Sequence, residues 1–216
     1  MASCILIVDA GLGNIGSVVA AYERVGVPNL RLRTPPIHLE DFTHLILPGV
    51  GSFTAGMQAL NRLGWSTWLH DVWLPTGRPL LGICLGMQLL ASRGFEGSDS
   101  GKALPGLNLI PGEVVLMTSS HNLLLPHVGW NSVFWSDQLT QLSSGVPSGA
   151  DFYFVHSYTL CCDHENNSLA HSQYGSNFSA VVADHSRNVW GMQFHPEKSQ
   201  KLGRILLQNF IALKPC

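Results

Sequence analysis

Short apolar runs alternate with stretches whose apolar positions recur every three or four residues, and this alternation lays out the first half of the chain. Ser3 to Val8 is apolar and partly β-branched, the mark of a strand buried on both faces. A helical period follows from Ile15 to about Val25 and closes at Gly26, a C-cap signal. Leu30 to Arg33 and Thr43 to Leu47 read as two further strands. The latter runs into Pro48-Gly49-Val50-Gly51-Ser52, then a helix to about Leu63. Trp65, Trp68, Leu69, Val72 and Trp73 stand at i, i+3, i+4, i+7 and i+8, one core-facing side of a helix. Pro75 and Gly77 end it, and Leu80 to Ile83 is a fourth apolar run, leading into a helical pattern after Cys84.

The second half reads differently. Ser92 to Gly106 is rich in glycine and serine and is expected to be a loop. Glu113–Met117, Val133–Trp135, Phe152–Val155 and Tyr158–Leu160 read as strands, with Pro126-His127-Val128-Gly129-Trp130-Asn131 between two of them. Ala180–Ala183 and Val189–Phe194 form a last pair, turning at Asp184 to Asn188, before an amphipathic helix from Lys198 to Leu213. Alternating strands and helices predict an α/β fold: a mostly parallel central sheet flanked by helices. The later strands predict an additional antiparallel β portion folded onto that sheet. Without a linker or repeat, residues 1–216 read as a single domain.

Composition narrows the function classes. The 216 residues are 45% hydrophobic and 12% charged, as in a compact globular protein. A net charge of −2 makes no electrostatic case for nucleic acid or an anionic membrane. No apolar run is long enough for a bilayer, and the first residues lack the basic start of a signal peptide. Five cysteines without a disulfide rhythm suit a reducing, cytoplasmic compartment. Ten histidines occur without HExxH or CxxC spacing, so neither a metal nor a cofactor is expected.

The chemistry concentrates at Gly82-Ile83-Cys84-Leu85-Gly86. Glycines two residues either side of a cysteine, between an apolar strand and a helix, follow the logic of a nucleophile elbow with sulfur in place of a hydroxyl. A helix N-terminus favours the thiolate, the reactive form. The competing reading is a buried structural cysteine. Far downstream, Gln193-Phe194-His195-Pro196-Glu197 follows the last strand. Proline holds the preceding residue extended, and residues two apart in an extended segment point the same way. His195 and Glu197 are then neighbours, the carboxylate orienting the imidazole; with Cys84 they complete a triad. A surface ion pair is the bland alternative. Gly49 and Gly51 free backbone N–H groups for an oxyanion. The Asp9-Ala10-Gly11-Leu12-Gly13-Asn14 turn lacks a phosphate loop's third glycine and lysine.

Gly82-Ile83-Cys84-Leu85-Gly86-Met87-Gln88 and Gln193-Phe194-His195-Pro196-Glu197-Lys198-Ser199 resemble the two signatures of class I (triad) glutamine amidotransferases, a flavodoxin-like fold. Within that class, Ile7 to Asn14, Pro48 to Gly51, Pro126 to Asn131 and Tyr153 to Tyr158 resemble the glutaminase subunits of imidazole glycerol phosphate synthase. The resemblance implies that Cys84 attacks the side-chain amide of L-glutamine, with the N–H groups of Gly51 and Leu85 as oxyanion hole. It implies glutamine-binding positions at Gln88, Glu96, His156 and Ser157. Glu96 lies where the family's usual acidic run is altered; Ala10 replaces an aromatic residue and Val128 a methionine. Ammonia freed in water becomes ammonium and is lost as a nucleophile, so an acceptor site belongs on a partner. The resemblance names a (β/α)8-barrel cyclase subunit, in a heterodimer, with Asn14, His127 and Trp130 expected near the interface and the ammonia passage. Three other readings share parts of this pattern: a class I glutaminase serving a different synthase, a redox-sensing binding protein and a cysteine peptidase.

Overall fold

The computed structural model describes residues 4–13, 15–98, 101–118, 124–136 and 140–215. The first strand shows how the fold is organised. In β1 (Ile5–Val8), Ile5 and Ile7 enter one hydrophobic cluster and Leu6 and Val8 another, because alternate side chains leave opposite faces of a strand. Both faces must be covered, and helices cover them. On the Ile5 face lie Val18, Ala21 and Tyr22 of α1 (Ile15–Arg24) and Leu206, Leu207 and Phe210 of α5 (Gln200–Ala212). On the Leu6 face lie Phe53, Met57 and Leu60 of α2 (Phe53–Arg62), Trp65 of α3 (Trp65–Trp68), and Leu85, Met87 and Leu89 of α4 (Leu85–Leu89).

The remaining strands are β2 (Asn29–Leu32), β3 (His44–Gly49), β4 (Leu80–Cys84), β5 (Ala91–Gly94), β6 (Leu104–Pro105), β7 (Ile110–Leu116), β8 (His127–Trp135), β9 (Ala150–His156), β10 (Tyr158–Cys162), β11 (Ser168–Tyr174), β12 (Ser176–Asp184) and β13 (Val189–Met192). The main sheet runs β2-β1-β3-β4-β13-β12-β11-β8-β9. Pairings from β2 to β13 are parallel and those beyond are antiparallel. A smaller sheet, β10-β7-β5-β6, packs at the Leu6 face through Ile110, Val114 and Leu160. Among the described residues, no helix is long and apolar enough to cross a membrane.

The α/β class and the parallel first half follow the expectation; several details do not. The antiparallel strands β12, β11, β8 and β9 continue the main sheet edge to edge rather than folding onto it. Ser92 to Gly106 is not all loop: it contains most of β5 and all of β6, held by pairing with β7 and by the bare Gly94 backbone against the Phe53 ring. Pro126 to Asn131 is not a connector either, since His127 to Asn131 opens β8, paired residue for residue with β9. Its alternation is hidden because His127 takes the buried position while Val128 and Trp130 face out. After α3 the chain widens into a π-turn over Leu69–Trp73. The wider turn keeps Trp65, Leu69 and Trp73 buried at four-residue spacing and turns Val72 outward.

Candidate active site

Cys84 ends β4 and immediately precedes α4, at φ +55° and ψ −112°, a conformation a cysteine adopts only when its surroundings impose it. Two glycines make the turn possible. A Cβ on Gly82 would meet the Gly86 carbonyl at 2.6 Å, and one on Gly86 would sit inside the Leu47 carbonyl oxygen. The helix expected after the cysteine is the short α4, because Leu90 leads directly into β5. The electrostatic help for a thiolate therefore comes from the first-turn N–H groups, which lack intrahelical acceptors, rather than from a long macrodipole.

Adjacent strands bring the second half of the site. β13 lies beside β4 in parallel register, Gly191 opposite Gly82 and Met192 opposite Ile83, so both chains leave the sheet at the same edge. His195 is extended (φ −97°, ψ 93°), anchored by its N–H to the Tyr153 carbonyl at 2.9 Å and by the Ser199 hydroxyl donating to its carbonyl at 2.7 Å. The next residues, Pro196–Lys198, form a 3-10 turn instead of continuing extended. That turn folds Glu197 back, so the expected pairing survives by a different geometry: His195 Nδ1 donates to Glu197 Oε1 at 2.8 Å. Both side chains are nearly inaccessible to solvent. Burial alone would lower the imidazole pKa. Hydrogen bonds with Cys84 and Glu197, and the negative charge of both, outweigh burial and raise it to about 10. An imidazolium beside a sulfur at neutral pH is the resting state of a cysteine nucleophile with its acid already loaded.

A cavity of about 180 Å³ opens over the sulfur. Gly51, Cys84, Leu85, Gln88, Glu96, His156, Ser157 and His195 all line it, so the structure gathers these sequence-predicted residues in one place. Glu197 stands behind His195, outside the cavity. Gly49 pairs with Cys84 across β3 and β4, which sets the Pro48-to-Gly51 loop at the cavity's edge. The Glu96 carboxylate accepts from the Phe53 N–H at 3.1 Å, at the start of α2; burial raises its pKa and that N–H partly offsets the rise. Cys84 Sγ lies 3.7 Å from the Val155 carbonyl.

Sequence reasoning missed Gln193. It is fully buried, its Nε2 lies 3.9 Å from Cys84 Sγ, and its Oε1 accepts from Gln88 Nε2 at 3.1 Å. The Gln88 amide also donates to the Tyr158 carbonyl at 2.9 Å. The available signal was spacing: Gln193 stands two residues before His195. Lys198, Val155 and Tyr158 also line the cavity.

Of the residues expected near a partner, Asn14 lies outside the described residues. Trp130 is half exposed and packs edge-on to Tyr153 at 6.0 Å. His127 is buried one step behind the cavity, stacked on Tyr174 at 4.1 Å. Hydrogen bonds fix its tautomer. His156 Nδ1 donates to the Tyr158 carbonyl at 2.9 Å, so its Nε2 accepts, and His127 Nδ1 donates to it at 3.1 Å. Burial lowers both imidazoles to about 4. Unfolded, each protonates near 6.5, so between these values the unfolded chain binds more protons. The contribution of these two imidazoles is therefore full above pH 6.5 and falls as pH drops toward 4, whereas the raised His195 contributes fully below 6.5 and loses its contribution as pH rises toward 10. Thermal unfolding midpoints are expected to fall by about 5 °C or more between about pH 6 and 4.5, where His195 is protonated folded or unfolded and the two lowered imidazoles dominate. His127→Phe, which keeps the stacking, is expected to make that decline shallower.

The chain is similar to known proteins along its whole length. A family model described as "Glutamine amidotransferase class-I" matches residues 6–213. "Imidazole glycerol phosphate synthase subunit HisH 1" of Prochlorococcus marinus (strain MIT 9313) is 74% identical over 216 residues, all of both chains. The protein of the same description from Campylobacter jejuni (strain RM1221) is 43% identical over 97% of this chain and 100% of that one. Among solved structures, PurLQS from Thermotoga maritima superposes with a TM-score of 0.72 at 17% identity, covering 98% of this chain and 99% of that one. At that identity the likeness speaks for the fold alone.

Proposed function

The chain belongs to the class-I glutamine amidotransferase family, and from that premise we propose that it hydrolyses L-glutamine to glutamate and ammonia and hands the ammonia to a (β/α)8-barrel cyclase subunit, its partner in a heterodimer that makes imidazole glycerol phosphate for L-histidine biosynthesis. Residues 1–216 act as a single glutaminase domain. The observation that carries this reading is the convergence of Cys84, His195 and Glu197 beside a cavity sized for one amino acid. The full-length likeness to synthase subunits supports the choice of pathway. The free cysteines Cys4, Cys84, Cys161 and Cys162 suit a cytoplasmic setting.

The Cys84 thiolate adds to the side-chain carbonyl carbon of glutamine, and the oxyanion is held by the N–H groups of Gly51 and Leu85. Such donors contribute roughly 3–4 kcal/mol each. The tetrahedral adduct collapses with breakage of the C–N bond, and the His195 imidazolium gives its proton to the departing nitrogen as ammonia leaves. Neutral His195 then takes a proton from water as that water adds to the thioester. Loss of the thiolate releases glutamate and restores the starting pair. Gln88, Glu96 and the His156-Ser157 backbone hold the amino-acid end of the substrate, with the Glu96 carboxylate suited to its ammonium. Glutamate release from glutamine, measured with and without the barrel partner and its nucleotide, tests the reading: slow release alone and faster release with the partner is expected. No release under either condition rejects it.

The partner meets the edge that carries the cavity. Trp130 and Val128 are exposed there, and Trp130 packs on Tyr153, whose ring lies 5.8 Å from the Lys198 ammonium at the cavity's rim. His127 opens the same strand, β8. Trp130→Ala is expected to weaken barrel binding by about 10-fold or more, as truncating an exposed interface tryptophan does, and to cut ammonia transfer while leaving partner-independent hydrolysis unchanged. Titration with the barrel partner, followed by a coupled synthase assay, checks both.

A further inference from the structure

Glu197 uses only one of its oxygens in the site described above. Oε1 accepts from His195, whereas Oε2 is buried and has no hydrogen-bonding partner among the described residues. A second buried polar atom stands in the same condition. Tyr22, on α1, is 0% exposed, and its hydroxyl also lacks a partner among the described residues. α1 packs against the Pro196–Lys198 turn, so the two orphaned atoms belong to elements in contact. Small cavities touch Glu197 from the α1 side. One of about 20 Å³ is lined by Val18, and one of about 80 Å³ by Ala21. Val18 lies one helical turn from Tyr22 and Ala21 directly precedes it. Each space exceeds the roughly 10–15 Å³ that a single water needs, and Glu197 is on the wall of both while Tyr22 is on the wall of neither.

We propose that Tyr22 is a positioning residue for the triad, its hydroxyl donating to an internal water that in turn donates to Glu197 Oε2. The inference rests on the glutaminase reading above. A phenol is a neutral donor and a buried carboxylate oxygen an obligate acceptor, so one water satisfies both. The burial of unpaired polar atoms is otherwise costly. The Glu197 charge also reaches Tyr22: after burial, it is the second cause holding that phenol well above its ordinary pKa. Fixing Oε2 has a chemical consequence. A carboxylate held at one oxygen only swings about its last torsion and leaves the His195 Nδ1–H intermittently unpaired. Held at both, it keeps the imidazolium oriented and charged while glutamine is attacked.

Tyr22→Phe keeps the ring packing and removes the hydroxyl. In the full chain bound to its barrel partner, kcat for glutamine is expected to fall about 5- to 10-fold with KM within about twofold, because Tyr22 touches no substrate. The alkaline limb of the pH profile is expected to move down by about half a unit, since a looser carboxylate stabilises the imidazolium less. The thermal midpoint should fall, and crystallographic density for a water within hydrogen-bonding distance of both atoms should be present in the parent and lost in the variant. Unchanged kcat and pH profile with a raised midpoint would mean that the hydroxyl is merely an unpaired group, and would overturn the assignment. So would a silent Tyr22→Phe beside a strong loss in Arg24→Gln or Arg204→Gln, whose exposed side chains rim the larger cavity. If the parent releases no glutamate at all, the glutaminase reading fails instead, and the midpoint and density still decide whether the bridge exists.

Discussion

Cys84→Ala is expected to reduce glutamate release from glutamine by at least about 10⁴-fold, because it removes the sulfur proposed to form the thioester while the proposed oxyanion donors and the imidazole remain. Partner binding should be retained, since Cys84 is 6% exposed and offers the surface almost nothing. The same position makes a second, less obvious forecast. At φ +55° and ψ −112° any side chain is strained. Cys84→Gly should therefore be as inactive as Cys84→Ala yet more stable than it by about 1 kcal/mol, the backbone relief exceeding the entropy that glycine adds to the unfolded chain. Urea unfolding of the two variants side by side measures that difference. Equal stability would mean that the turn does not store strain, and residual turnover in either variant would point to a different nucleophile.

Gly86→Ala is expected to have the largest effect on the fold. The added methyl would occupy the position of the Leu47 carbonyl oxygen, a backbone atom of β3 that cannot rotate away. β3 is paired with β4 within the main sheet, so forcing it away from α4 disturbs the register that also places the Pro48-to-Gly51 loop. A loss of about 4 kcal/mol or more follows for forced displacement of packed backbone. Most of the variant should be recovered as aggregate, or unfold at a midpoint many degrees lower. A soluble, well-folded Gly86→Ala would show that the strand and helix are not as tightly apposed as the carbonyl position requires.

How much of this was legible in the chain depends on what each residue answers to. The parallel half was readable because its strands are covered on both faces, which leaves unbroken apolar runs such as Ile5 to Val8. The elbow was readable because its glycines obey a local steric demand. β11 was not: Ser168 to Tyr174 mixes Ser172, His171 and Gln173 with Leu169 and Ala170, and becomes a strand through pairing with β12 and β8. β5 and β6 likewise exist through their neighbours. The π-turn after Trp68 cannot be told from ordinary helix by apolar spacing alone. In the site, residues whose role follows from local chemistry were found, and roles that depend on tertiary proximity were not, even for Gln193 inside a signature motif. Gln193, just past the end of β13, meets Gln88 of α4, and the His127–His156 contact exists because the β8–β9 register sets those two residues opposite each other.

The order of strands carries a consequence for the chain as it is being made. β13, whose exit bears the imidazole, is inserted between β4 and β12, both synthesised earlier. Until that late segment emerges and slots into place, the ribosome-bound polypeptide owns a sulfur but no base to ionise it.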